Sequence, residues 1–135
     1  MDREYEEAVI KYNSSKLPAH LSREEAIGNY IDAKVRQSLK DRLNSYDIRF
    51  GPRQEIAVNS KDPSTANQSY RIPDARIGAV SFDWTLTFKT LSNPQIQGFF
   101  SADSEPEAVV IVRPSQLGGR STYLIPRPAG WGSRR

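Results

Sequence analysis

The chain has 135 residues, 37% of them hydrophobic, with a mean hydropathy of −0.63, a net charge of +3 and a pI near 9.3. That length suits one domain, residues 1–135, and no run approaches the roughly 20 apolar residues of a membrane-spanning helix. With no cysteine and a single histidine, His20, disulfides, thiolate zinc sites, cysteine nucleophiles and two-histidine catalysis are excluded. The charged start (Asp2, Arg3, Glu4, Glu6, Glu7) has no apolar stretch of the kind a signal peptide carries.

Residues 1–20 form an N-terminal segment in which Tyr5, Ala8, Val9 and Tyr12 recur at helical spacing, predicting a short helix over 2–12 before a loop holding Pro18 and His20. Ser22 followed by Glu25 is a capping box, in which each side chain satisfies a backbone amide of the other's turn. It opens a helix predicted over 23–43, with Ile27, Ile31, Val35 and Leu39 on its apolar face and Asp32, Lys34, Arg36, Lys40 and Arg42 mostly on its wet face. Glu24 lies three residues before Ile27 and is directed toward the buried side, beside Gly28.

Short strands are predicted at 47–50 and 55–58, and the polar stretch 59–69 reads as a surface loop. Residues 70–74 are extended, because Pro73 biases Ile72 away from helix. The clearest strand covers 80–90, with Phe82, Trp84, Leu86 and Phe88 toward the core and Asp83, Thr85, Thr87 and Lys89 on the opposite face. Pro94 opens a short helix weakened by Gly98. The continuous apolar run 108–112 fits a buried central strand. Gly118-Gly119 turns the chain into a last strand over 121–125, and 126–135 is an irregular basic tail. N-terminal helices followed by a strand meander indicate an α+β fold with the helices packed on a central sheet.

Charge is unevenly distributed. From Ala108 onward there is no acid, while Arg113, Arg120, Arg127, Arg134 and Arg135 add positive charge. Such a segment attracts polyanions, and guanidinium forks suit phosphate. Cleaving a phosphodiester with a divalent metal needs carboxylates to hold a hard cation and a cation near the attacking water. Asp74 and Asp83 are the candidate metal ligands, and Lys89 is the only lysine after Lys61. Unlike arginine, lysine can release a proton when desolvated.

Arg71-Ile72-Pro73-Asp74, with Thr87-Phe88-Lys89 on the following strand, resembles the PD-(D/E)XK nuclease superfamily, whose motif is Pro-Asp, a hairpin and an acid-x-Lys triplet. Thr87 stands at the second-acid position, and Asp83 on the same face is the candidate substitute. The resemblance implies a restriction-endonuclease-like core with a mixed sheet. It implies a divalent metal, Mg²⁺ by preference, on Asp74 and Asp83, with Lys89 activating water. It places a further acid on the preceding helix, where Glu24 stands. A glutamine on the following helix corresponds to Gln95 or Gln97. Gln95, Arg113 and Arg76 are the candidate substrate or phosphate contacts, and Thr87 is retained among the catalytic candidates.

In size and charge the chain also resembles the C-terminal toxin domains of bacterial polymorphic toxins of the contact-dependent inhibition or Rhs type. That implies a nuclease delivered as part of a secreted toxin and acting in the target-cell cytoplasm, on RNA (tRNA included) in preference to DNA. A cognate immunity protein, acidic in character, would be its partner. One alternative is a metal-independent α+β toxin ribonuclease of the colicin or RelE type, built on Lys89, Thr87, Arg113, Ser121, Thr122 and Tyr123. Another is a non-catalytic nucleic-acid-binding module using the arginines, Tyr123 and an exposed Trp131.

Overall fold

The computed structural model describes residues 1–119 and 121–131. Of the basic segment, Arg120, Arg134 and Arg135 therefore lie outside the described residues, as do residues 132–135 of the predicted tail. The element order is α1 (Asp2–Asn13), α2 (Arg23–Ser45), β1 (Ile56–Val58), β2 (Asp62–Ser64), β3 (Ser69–Arg71), β4 (Ala75–Ile77), β5 (Val80–Trp84), α3 (Pro94–Phe100), β6 (Ala108–Val112) and β7 (Thr122–Pro126). The fold is α+β, with N-terminal helices followed by a mixed five-stranded sheet of order β1-β4-β5-β6-β7. β5 and β6 are parallel and every other neighbouring pair is antiparallel. The expected α+β class with a central mixed sheet is what forms.

Local chemistry accounts for the helix boundaries. Ser22 Oγ accepts from the Glu25 amide at 3.1 Å and caps α2. The helix runs on to Ser45 and stops in a Schellman motif. Ile48 N donates to Leu43 O, Asp47 N donates to Asn44 O, and Asp47 takes φ 55°. This is why 47–50 is not the predicted strand: Asp47 and Ile48 close the helix. α1 and α2 pair through Ala8, Ile27 and Ile31, with Leu86 packed against them.

A parallel β5–β6 pair needs a crossover, and α3 supplies it. α3 is capped by Asn93, whose side chain accepts from the Gln95 and Ile96 amides. It buries Ile96, Phe99 and Phe100 against Val109 and Ile111. Cross-strand partners share a sheet face, so Ser81, paired with Val109, and Asp83, paired with Ile111, lie beneath α3. The sequence pattern gives the core face of this strand to Phe82, Trp84, Leu86 and Phe88. In the fold the Ser81 and Asp83 side is the more deeply buried, because both sheet faces carry helices, α2 meeting the opposite face at Trp84.

Two more expectations change. The strand predicted to Thr90 ends at Trp84. Its last ladder bond is Thr85 N to Val112 O, after which Thr85 Oγ1 accepts from the Thr87 amide and turns the chain. The stretch 59–69 is not a bare loop, since β2 and β3 form a hairpin there. The hairpin is docked by Ser104 Oγ on Asp62 (2.6 Å), Ser64 Oγ on Ser101 O (2.9 Å), and Asp103 bonding both Thr65 and Pro63 O.

Candidate active site

β4 and β5 pair so that Ala75 faces Phe82. Continuing that register by one residue sets Asp74 opposite Asp83, just past the end of β4. Two carboxylates thus stand as direct cross-strand neighbours, an arrangement that disfavours the sheet unless something compensates it. Pro73 is buried, and the Trp84 amide donates to Asp74 Oδ2 at 2.7 Å, fixing that carboxyl. Asp83 is only 4% exposed. Burial, first, and the adjacent Asp83 charge, second, push the Asp74 carboxyl up to about 8, with a smaller contribution from Asp32 and with the Trp84 amide acting against them.

Lys89 compensates Asp83. Its Nζ lies 2.8 Å from Asp83 Oδ2 and 2.8 Å from Gln95 Oε1. It does so from a loop, not from the strand face predicted for it. The chain leaves β5 at Trp84, and Lys89 returns above the α3 side of the sheet. Tyr123 on β7 holds that return. Its hydroxyl accepts from the Lys89 amide at 2.8 Å and donates to the Lys89 carbonyl at 2.6 Å, while its ring lies 5.1 Å from Phe88. Tyr123→Phe removes both backbone bonds, and we expect it to lower stability by about 1–3 kcal/mol. A thermal melt at neutral pH measures that loss.

The structure brings Asp74, Asp83, Lys89 and Gln95 together. Gln97 instead donates to Leu91 O. Thr87 is exposed and stands apart from the cluster, because the strand that would have carried it ends three residues earlier. Glu24 is exposed on the first turn of α2. It lines a cleft of about 350 Å³ with Gly28, Ile31, Trp84, Thr85, Leu86 and Thr87, away from the Asp83 face. The expectation that Glu24 points inward therefore does not hold. Glu25 and Glu24 both stay in solvent while Ala26 and Ile27 take the buried stripe.

The arginines proposed as phosphate contacts are tied to backbone. Arg113 donates to Leu86 O at 3.0 and 3.3 Å, and Arg76 donates to Gly78 O at 3.2 Å. Arg127 donates to Phe100 O, Pro106 O and Trp131 O. Trp131 packs on Phe100 at 6.4 Å and is not the exposed platform expected. One functional neighbour was missed. Asp32, assigned to the wet face, accepts from Trp84 Nε1 at 2.9 Å and pairs with Arg36. Its i+8 spacing from Glu24 through Gly28 marked one helix face, but nothing in the sequence indicated that Trp84 would meet it.

Among the described residues no group of three or more His, Cys, Asp or Glu side chains is disposed to hold a metal. The donor set is two hard carboxylates, one with an affinity for a proton far above normal. That suits a Mg²⁺-type cation, which takes one or two carboxylates and completes its shell with water and substrate phosphate. Comparisons with protein families, curated proteins and solved structures gave no match.

Proposed function

We propose that the protein is a metal-dependent nuclease, with RNA, tRNA included, preferred over DNA. One observation carries this reading: two side-by-side carboxylates, Asp74 and Asp83, with the Lys89 ammonium bonded to one of them and steered by Gln95. Asp74 and Asp83 would hold the cation, which when bound lowers the pKa of water and neutralises charge on phosphate. Lys89, with two of its three protons directed at Asp83 and Gln95, keeps a donor for a phosphate oxygen or the attacking water. Burial of Asp83 under α3 keeps this pair in a low-dielectric setting, where its field is strong.

The size, the positive charge and the Pro73-Asp74 pattern further support a toxin domain that acts in a target-cell cytoplasm and is neutralised by an acidic immunity protein. The metal-free ribonuclease reading draws on Lys89, Thr87, Arg113 and Tyr123. Arg113 and Tyr123 hold the Leu86–Lys89 backbone, and Thr87 lies apart, so that set is less favoured.

The test is incubation with total RNA and with plasmid DNA, each with Mg²⁺ and with EDTA. Cleavage that stops in EDTA and returns with added Mg²⁺ is expected. Cleavage indifferent to EDTA would transfer the activity to the metal-free alternative, and binding without cleavage would leave a non-catalytic module.

A further inference from the structure

The docked β2–β3 hairpin ends beside the site, and its last two residues point opposite ways. Tyr70 faces solvent, 48% exposed, with Lys61 Nζ 4.5 Å from its ring centre. Arg71 turns inward and lays its guanidinium across Gly98 of α3. A Cβ at residue 98 would meet Arg71 Nε at 2.2 Å and Cζ at 2.8 Å. The glycine that weakens α3 as a helix is thus the seat of an arginine.

That seat is close to the chemistry. Gly98 follows Gln95 by three residues, about 4.5 Å along a helix, and Gln95 holds Lys89. Arg71 also precedes Asp74 by three residues. The guanidinium has five N–H donors. Among the described residues its side chain makes a single hydrogen bond, to its neighbour's carbonyl, Tyr70 O, at 3.3 Å. No carboxylate among the described residues pairs with it. A fork of donors seated against α3 at the rim of a carboxylate–lysine site matches a phosphate, and an exposed ring beside a lysine matches an unpaired base with its phosphate.

We propose that the hairpin is the substrate arm of this site. Arg71 binds a phosphate flanking the one to be cleaved, and Tyr70 with Lys61 stacks an adjacent unpaired base, so the substrate is a single-stranded segment. Bases inside a duplex are already stacked on one another and offer no face to Tyr70. The proposal rests on the nuclease reading of the neighbouring carboxylates.

The experiment is fluorescence anisotropy in EDTA on a labelled 2′-O-methyl single strand, which neither mechanism cleaves, with a labelled duplex alongside and cleavage of RNA measured in parallel. Arg71→Ala is expected to weaken single-strand binding at least about tenfold and to flatten the plot of log affinity against log salt by about 0.7. Tyr70→Ala is expected to weaken it by about 5- to 150-fold with the salt slope unchanged. Gly98→Ala favours the helix yet evicts the guanidinium, and should reproduce the Arg71→Ala loss without loss of the thermal transition.

Equal affinity and equal slope for the wild type and all three variants would overturn the arm, as would a wild-type preference for duplex or failure to bind the single strand. If the wild type cleaves and these variants bind and cleave like it, the arm falls and the nuclease reading stands. If the variants lose binding while no form cleaves RNA, the arm stands and the nuclease reading falls.

Discussion

Lys89→Gln is expected to lower single-turnover RNA cleavage by about 100- to 10,000-fold, the range associated with removing a positioned proton-transfer group or a preorganised charge. Glutamine keeps an amide donor at this position, and the loop stays clamped through its backbone by Tyr123. What disappears is the positive charge. Lys89→Arg should be almost as damaging. The site between Asp83 and Gln95 accommodates a compact ammonium at 2.8 Å from each, and a larger planar guanidinium cannot reproduce that placement. Unchanged cleavage in Lys89→Gln, with a normal thermal transition, would remove Lys89 from the mechanism.

The second large effect is on stability, and it is set by pH. Asp74 is an acid whose carboxyl rises on folding from 3.8 to about 8. Below pH 4 it is protonated in both folded and unfolded chains and contributes nothing. Between about 4 and 8 the unfolded chain gives up this proton while the folded chain keeps it, so the fold loses stability as pH rises, and the penalty is complete above about 8. One pKa unit is about 1.4 kcal/mol, which bounds the penalty at about 6 kcal/mol. Solvent reaching the partly exposed carboxyl reduces it, to an expected 2–3 kcal/mol or about that.

Asp74→Asn removes the ionisation and retains an oxygen to accept the Trp84 amide. The variant should therefore melt roughly 5–10 °C above the wild type at pH 9, with the gap closing toward pH 4. Inactivity combined with raised stability at high pH is the signature of a functional strained acid. Parallel melting curves at all pH values would show that the carboxyl is not perturbed. Mg²⁺ supplies an independent reading. A cation held as proposed would compete with the proton on Asp74, so at pH 8 it should raise the wild-type melting temperature and leave Asp74→Asn unmoved. An equal rise in both would place the cation elsewhere.

The sequence alone was sufficient wherever the cause was local. The Ser22 cap and its apolar stripe defined α2, Pro94 opened α3, and the run from Ala108 to Val112 marked the central strand, since each depends on neighbours within a turn or a pleat. Asp74, Asp83, Lys89 and Gln95 were readable as a group through the resemblance of Pro73-Asp74 and the triplet ending at Lys89 to the PD-(D/E)XK pattern, which also drew in Glu24 and Thr87.

Everything that depended on partners far along the chain needed the tertiary structure. The hairpin of β2 and β3 is held by Ser101, Asp103 and Ser104, some 40 residues on, and its own polar residues carry no alternation to reveal it. The burial of Asp83 is decided by α3 crossing over the β5–β6 pair, and the path of Lys89 by a hydroxyl on β7. Period-two reasoning set Thr87 and Lys89 on one strand face; the strand ends at Trp84, so Thr87 falls away while Lys89 returns. Gly98 read as a helix flaw because glycine lowers helix propensity, and only the packed chain shows Arg71 lying where a side chain would be.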